Sequence, residues 1–377
     1  MRRPAAILVL VSMTVASYGE LPGYKELQGS VPTSDTGEIR RYSVHSTHLD
    51  ADIIVDVWTP EGYAHGGEHR YPVLYAHDGQ NLFDSSYTFA GVAWEVDRTA
   101  GQLGSEKEIV TPIVVGINNR GSDGLRACDY FPEKVIDYIP AADRDKTKIF
   151  ETCRGKFLGD EEAAFVATEL KPLIDYLYTT NPTQPYTFAM GSSMGGLASL
   201  YLLCEYPDIF HGAACMSTHW VGSLDLNPDY TMNDDPVCAK AILAYMDANL
   251  PSPATHKLYL DQGTSGWDAM YLKYEATARE IAVIHGYSAE GGTLETYDDK
   301  GAGHNEWFWQ QRLSRPLKFL FSNSSFEYAG IDTPVLDGLP AEGGTYINLH
   351  GISYPENNPA GLLPGIYLHG GKKILVK

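Results

Sequence analysis

The chain has 377 residues, enough for one large domain and an appendage, and it carries 28 Lys and Arg against 48 Asp and Glu, a formal net charge of −20. A surface of that sign repels phosphates and argues against nucleic acid or an anionic membrane as a partner. Apolar residues make up 44% of the chain, which allows a sizeable core.

From the N-terminus, Arg2 and Arg3 precede an apolar run, Ala5 to Val15, and small residues follow at Ala16 and Ser17. The run is too short to span a bilayer and predicts an export signal over residues 1–17. A polar, proline-containing leader over 18–39 comes next. Arg41–His48 and Ile53–Thr59 alternate as paired strands do. His65 and His69 lie in a glycine-rich turn without carboxylate support, which reads as a solvated loop. Tyr71–Ala76 is a buried strand ending in His77-Asp78-Gly79-Gln80, and Pro112–Ile117 is a second. The helix predicted over Trp94–Leu103 between them makes a strand–helix–strand crossover, and hence parallel pairing. Arg126–Lys156 is long and irregular, and is expected to cover the site at the strand ends. A helix is predicted over Gly159–Tyr178. Tyr186–Ala189 is a strand, followed by Met190–Gly196 and an apolar helix from Leu197.

Three further strands (His211–Ser217, His256–Asp261, Thr293–Asp298) alternate with helices over Trp267–His285 and Asn305–Phe321. The pattern predicts an α/β fold with a doubly wound, mostly parallel sheet, whose ligands sit at the carboxyl ends of the strands. After Phe321 the texture changes to Gly, Pro and Tyr. Residues 322–377 read as a linker and a small β-rich tail, with a hairpin centred on His369-Gly370-Gly371. Of five cysteines, Cys128 and Cys153 bracket the irregular stretch and are the first choice for a disulfide. Cys204 and Cys215 read as small buried residues. No CxxC pair occurs, and neither a metal nor a cofactor is expected.

The chemistry concentrates at Gly191-x-Ser193-x-Gly195, a strand–turn–helix in which the serine sits on a sharp, strained turn with bare neighbours. Such a turn exposes the Ser193 hydroxyl and aims the first N–H of the helix, that of Met194, at a developing oxyanion. A serine needs a base. His304, on the glycine loop Gly301–Gly303 between a strand and a helix, is the candidate. His77, His219 and His285 lack that setting. The acid is Asp268 or Asp261, both between Ser193 and His304. Asp268, beyond the turn, is favoured, and Asp261 is the alternative. The second oxyanion donor is the N–H of Gln80, with Gly79 as the alternative. Trp220, after the next strand end, is a candidate for lining the substrate pocket.

The strand leading into HDGQNLFD, then W-x-VD, IVVGINN with Arg126 and Tyr130-Phe131-Pro132 after it, GSSMGG, YLDQGT and GAGHNEWFW together resemble the putative-esterase family of α/β-hydrolases. That family spans feruloyl and acetylxylan esterases, enterochelin-type siderophore esterases, S-formylglutathione hydrolases and mycolyltransferases. The resemblance covers about residues 40–321, which it marks as an α/β-hydrolase esterase domain. It implies Ser193 as nucleophile, His304 as base and Met194 as oxyanion donor. The chain departs from the pattern at the acid. Relatives often carry a carboxylate directly after the Gly-Thr pair, whereas here Ser265-Gly266-Trp267 precedes Asp268. The tail, with Gly365-Ile366-Tyr367 and Gly370-Gly371-Lys372-Lys373, resembles carboxy-terminal sorting regions of secreted Bacteroidetes proteins. Together these imply a bacterial serine carboxylesterase, secreted or held at the cell surface or in the periplasm. Its expected partner is an acylated carbohydrate or another small ester, and the acyl groups are feruloyl or acetyl on xylan. A siderophore esterase is the enzymatic alternative, and a glycan-binding protein with a lapsed triad is the non-enzymatic one.

Overall fold

The computed structural model describes residues 21–121 and 125–323 and, further on, the backbone of four short strands within 346–376. The chain divides into two units, Met1–Asn323 and Ser324–Lys377. The export signal expected over 1–17 lies outside the described residues.

The first unit is built on nine strands: β1 (Tyr24–Leu27), β2 (Glu38–Ser46), β3 (Ala51–Thr59), β4 (Val73–His77), β5 (Ile113–Ile117), β6 (Thr187–Ser192), β7 (Gly212–Met216), β8 (Lys257–Gly263) and β9 (Leu294–Asp299). They form one sheet in the order β1-β2-β3-β5-β4-β6-β7-β8-β9. The first three strands and β5 pair antiparallel, and every pair from β5–β4 through β8–β9 is parallel. β4 (VLYAH) and β5 (IVVGI) are buried at every position, as central parallel strands covered on both faces must be. This is the mostly parallel α/β-hydrolase-type sheet that the alternation of elements predicts.

The helices are α1 (Val96–Ser105), α2 (Leu125–Tyr130), α3 (Lys148–Cys153), α4 (Gly159–Ala164), α5 (Lys171–Leu177), α6 (Met194–Glu205), α7 (Pro236–Asn249), α8 (Trp267–Ile284), α9 (Glu306–Arg312) and α10 (Ser314–Phe321). A π turn over Phe165–Leu170 joins α4 to α5, so the long helix predicted there is continuous but not uniform. α1 packs on α10, while α6, α7 and α8 pack in sequence on one another. α6 is buried along its whole length except at Glu205, which makes it the central helix of its layer.

Four features differ from expectation. β1 lies inside the expected leader, paired with β2 from Tyr24 opposite Val44 to Leu27 opposite Arg41. α7 has no amphipathic stripe to announce it. The helix predicted over 305–321 breaks at Leu313 into α9 and α10. The irregular stretch contains α2, α3 and two 3₁₀ turns, and is stapled by a disulfide between Cys128 and Cys153 with the Cα atoms 5.4 Å apart. Cys204, Cys215 and Cys238 are free and buried. Among the described residues, no helix is long and apolar enough to cross a membrane.

The second unit holds β10 (Tyr346–Asn348), β11 (Ser353–Tyr354), β12 (Gly365–His369) and β13 (Lys372–Val376). Its sheet runs β11-β10-β12-β13 and is antiparallel throughout. The hairpin expected around residues 369–371 corresponds to β12 and β13, with Gly365 opposite Val376.

Candidate active site

Ser193 leaves β6 with φ 56° and ψ −123°, a conformation that costs a non-glycine residue about 1–3 kcal/mol. Its neighbours hold it there. The Ser193 N–H donates to the Met216 carbonyl (2.9 Å), and the Ser193 carbonyl accepts from the N–H groups of Gly196 (3.0 Å) and His219 (3.1 Å). A methyl group at Gly191 would lie 2.4 Å from the Gly195 carbonyl oxygen, and one at Gly195 would lie 3.2 Å from His77 Cβ and 3.4 Å from Asp78 Oδ2. Gly191 must therefore be bare, and a side chain at Gly195 would have to push His77 or Asp78 back by a few tenths of an ångström. The close approach at Gly195 also sets the start of α6 against the loop that follows β4.

Ser193, His304 and Asp268 meet in a line. His304 Nε2 is 2.9 Å from Ser193 Oγ, and His304 Nδ1 is 2.6 Å from Asp268 Oδ1. An ionised carboxylate only accepts, so Nδ1 carries the imidazole proton and the Nε2 lone pair faces the serine hydroxyl. Asp268 Oδ2 is held separately, by the Gly263 N–H and the Ser217 hydroxyl, each at 2.7 Å. Burial works to raise the Asp268 carboxyl. The bonds from His304, Ser217 and Gly263 and the nearby imidazole outweigh it and hold the group below the usual carboxylate range.

Asp261 sits elsewhere. It accepts from Arg312 Nε and Nη2 (3.0 Å each), from the Tyr259 hydroxyl (2.9 Å) and from the Ser217 N–H (3.2 Å). His304 is not among its partners. The two carboxylates left open by the sequence thus have different addresses, one on the imidazole and one on a buried guanidinium.

The loop after β4 is fixed by Asp78, itself in a left-handed conformation with φ 58°. Arg126 forks onto its two oxygens (2.7 and 2.6 Å), and Asn119 Nδ2 donates at 2.6 Å. Burial would raise this carboxyl, but Arg126 and Asn119 bring it below its ordinary value. The Asp78 N–H donates to the Tyr130 hydroxyl (3.1 Å), and the Tyr130 ring packs on Met194 and Ala198. The irregular stretch therefore reaches the site through α2. The Gln80 side chain accepts from the Asn119 N–H (3.2 Å), while the backbone N–H groups of Gln80 and Met194 have no protein acceptor among the described residues. Unpaired backbone donors of this kind are what a developing oxyanion needs.

Trp220 is not where the sequence reading puts it. It is fully buried in the main core, and its Nε1 donates to Glu275 Oε2 at 2.9 Å, so it packs in the interior and does not line a cleft. His219 is also fully buried, bonded through Nδ1 to the Tyr271 hydroxyl (2.7 Å). Burial lowers its pKa to about 3, so it stays neutral 6.5 Å from the His304 ring. The His304 ring is walled by Trp309, Trp267 and Tyr271 at 5.0, 5.5 and 5.7 Å between centroids. Ser217, Trp309 and Arg312 escape sequence reasoning because nothing local marks them. Only the packing of α9 against the ends of β7 and β8 brings them to the acid.

A family model described as putative esterase matches residues 46–320. No curated protein matches the chain in sequence. Among solved structures, a ferulic acid esterase superposes with a TM-score of 0.54 at 18% identity, over 76% of this chain and 99% of its own. The enterobactin esterase of Shigella flexneri gives 0.53 at 16%, over 77% of this chain and 60% of its own, so the present chain spans about three fifths of that enzyme's length. A feruloyl esterase module from Clostridium thermocellum, complexed with sinapinate, gives 0.52 at 14%, over 80% of this chain and 95% of its own. At these identities the likeness bears on the fold.

Proposed function

The chain belongs to the putative-esterase family and is an ester hydrolase, and from that premise we propose that it is a secreted serine carboxylesterase that removes feruloyl or acetyl groups from plant cell-wall polysaccharide such as xylan. The observation that carries the serine mechanism is the hydrogen-bonded line from Ser193 Oγ through His304 to Asp268. In the first step the Ser193 oxygen attacks the ester carbonyl and its proton passes to His304 Nε2. The carbonyl oxygen, now negative, is received by the Met194 and Gln80 N–H groups. Asp268 keeps Nδ1 protonated and stabilises the imidazolium. Collapse of the tetrahedral adduct breaks the bond to the alcohol oxygen, which takes the proton from His304 and leaves. Water then attacks the acyl-serine, with His304 again as base, and releases the carboxylic acid and free Ser193.

The substrate reading rests on the export-type N-terminus and on the family resemblance. Charge supports it against a ferric siderophore. A multiply anionic iron–catecholate complex would meet a chain of net charge −20, and Arg126, the arginine beside the oxyanion loop, is already committed to Asp78. A panel of methyl ferulate, acetylated xylan and ferric enterobactin tests the assignment. Turnover of the first or second with none of the third is expected. Efficient hydrolysis of enterobactin alone would replace the polysaccharide reading. Failure with all three and no labelling by a fluorophosphonate would leave the binding-protein alternative.

A further inference from the structure

We propose that Ser217 is a positioning residue for the hydrolytic reaction, its hydroxyl locking the rotamer of Asp268 and tying that carboxylate to the buried Arg312–Asp261 pair. The proposal rests on Asp268 acting as the acid of the triad.

Ser217 directly follows β7, with φ 41°, a left-handed value unusual for a serine, and it is fully buried. Its hydroxyl has three partners: Asp268 Oδ2 at 2.7 Å, Arg312 Nη2 at 2.7 Å and Trp309 Nε1 at 3.0 Å. A hydroxyl offers one proton and two lone pairs. Guanidinium and indole nitrogens only donate, so they take both lone pairs. The one proton must then point at Asp268. The direction of every bond is thus set by partners that cannot reverse, and the hydroxyl has no spare capacity.

The consequence for Asp268 follows by counting. Oδ2 accepts from Ser217 and from the Gly263 N–H, and this pins the carboxylate plane so that Oδ1 is presented to His304 Nδ1. Behind Ser217, Arg312 is held in place by Asp261 through two bonds and by Asp299 Oδ2 at 3.4 Å. α9, which carries Trp309 and Arg312, begins two residues after His304. The helix that follows the base therefore also supplies the groups that orient the acid. This gives Asp261 a role as well: it neutralises and aims the guanidinium without touching the imidazole. The charged and titratable groups facing the Asp268–His304 pair are Arg312 from α9, Tyr271 from α8 and His219 from the loop after β7.

Ser217→Ala removes the hydroxyl and keeps the Cβ, so the backbone at the positive φ is little changed. Released on one side, Asp268 is expected to lose its fixed presentation, and kcat for a small ester is expected to fall ~10–100-fold, the range that a misplacement of an ångström costs, with KM within about twofold. The rate of labelling by a fluorophosphonate should fall by the same factor, and the downfield Nδ1 proton of His304 in the NMR spectrum should shift. If Ser217→Ala does not fold, Ser217→Gly, which also removes the hydroxyl and suits the positive φ, decides: the same fall in kcat and labelling rate and the same shift of the Nδ1 resonance are expected, and a folded Ser217→Gly enzyme with all three unchanged would overturn the arrangement. A folded Ser217→Ala enzyme with unchanged kcat, labelling rate and Nδ1 resonance would refute the proposal while wild-type labelling at Ser193 still stood. Absence of labelling in the wild type would instead refute the triad reading beneath it.

Discussion

Replacing Asp268 by Asn separates the two carboxylates that the sequence alone leaves open. Asp268 accepts three bonds, one from His304 Nδ1 at 2.6 Å and two on its other oxygen from Ser217 and Gly263 at 2.7 Å. An asparagine has one oxygen. If that oxygen stays with Ser217 and Gly263, the amide nitrogen faces Nδ1 and forces the proton onto Nε2, where it meets the Ser193 hydroxyl instead of accepting from it. If the amide flips, its N–H₂ faces two donors at 2.7 Å. The first arrangement removes the base; the second sets N–H₂ against two donors and leaves the imidazolium without a facing charge. A wrong-tautomer imidazole costs about 10⁴ in kcat in a serine protease, which at 1.36 kcal/mol per decade is about 5.4 kcal/mol of barrier, and the same scale is expected here. Asp261→Asn is the control. It strands Arg312, whose side chain is 3% exposed, and breaking a buried pair in this way costs about 3–5 kcal/mol of stability. Its kcat, measured where the variant is folded, should stay within about tenfold of wild type. The assay is initial rates with a small chromogenic ester beside a thermal melt of each variant. Near-wild-type turnover by Asp268→Asn, with abolition by a folded Asp261→Asn, would refute the reasoning.

Other outcomes follow from the same geometry. The Cys128–Cys153 bridge closes a loop of 25 residues, so a double Ser variant should lose about 2–4 kcal/mol of stability in denaturant titration with kcat retained. Trp220→Phe should lower the melting temperature through the lost bond to buried Glu275 and leave KM unchanged; a rise in KM alone would return Trp220 to the substrate pocket. The Asp78 carboxyl is held below its ordinary value, so it binds fewer protons folded than unfolded. Its contribution is present above the unfolded value near 3.9 and is lost as pH falls through the depressed folded value. Asp78→Asn should therefore show a flatter loss of stability on acidification below about pH 4 than wild type, in parallel denaturant titrations.

Much of this site could be read before any coordinates, because its signals are local. The elbow glycines mark Ser193 through sterics within five residues. His304 is marked by its glycine loop, and β4 and β5 by unbroken apolar runs. The failures have a common physical cause. Whether Asp261 or Asp268 meets the imidazole depends on where Arg312 and Ser217 arrive, and Arg312 lies 51 positions from Asp261, as Ser217 does from Asp268. Trp220 looks the same in sequence whether it lines a cleft or fills a core, and only the buried carboxylate of Glu275 decides between them. β1 is invisible because its four residues, YKEL, are mostly exposed and owe their conformation to pairing with β2. α7 turns Ala244 and Ala248 outward beside Lys240 and Asp247, so its exposed face is not polar enough for a 3.6-residue stripe to stand out.

The most direct test of the account is intact-mass analysis after treatment with a fluorophosphonate, with peptide mapping of the adduct and the same treatment of Ser193→Ala. One adduct per chain at Ser193, parallel loss of ester turnover, and a Ser193→Ala protein that melts like wild type but neither labels nor turns over are the predicted result. An unlabelled wild type, an adduct at another residue, or a folded Ser193→Ala enzyme with undiminished turnover would contradict it.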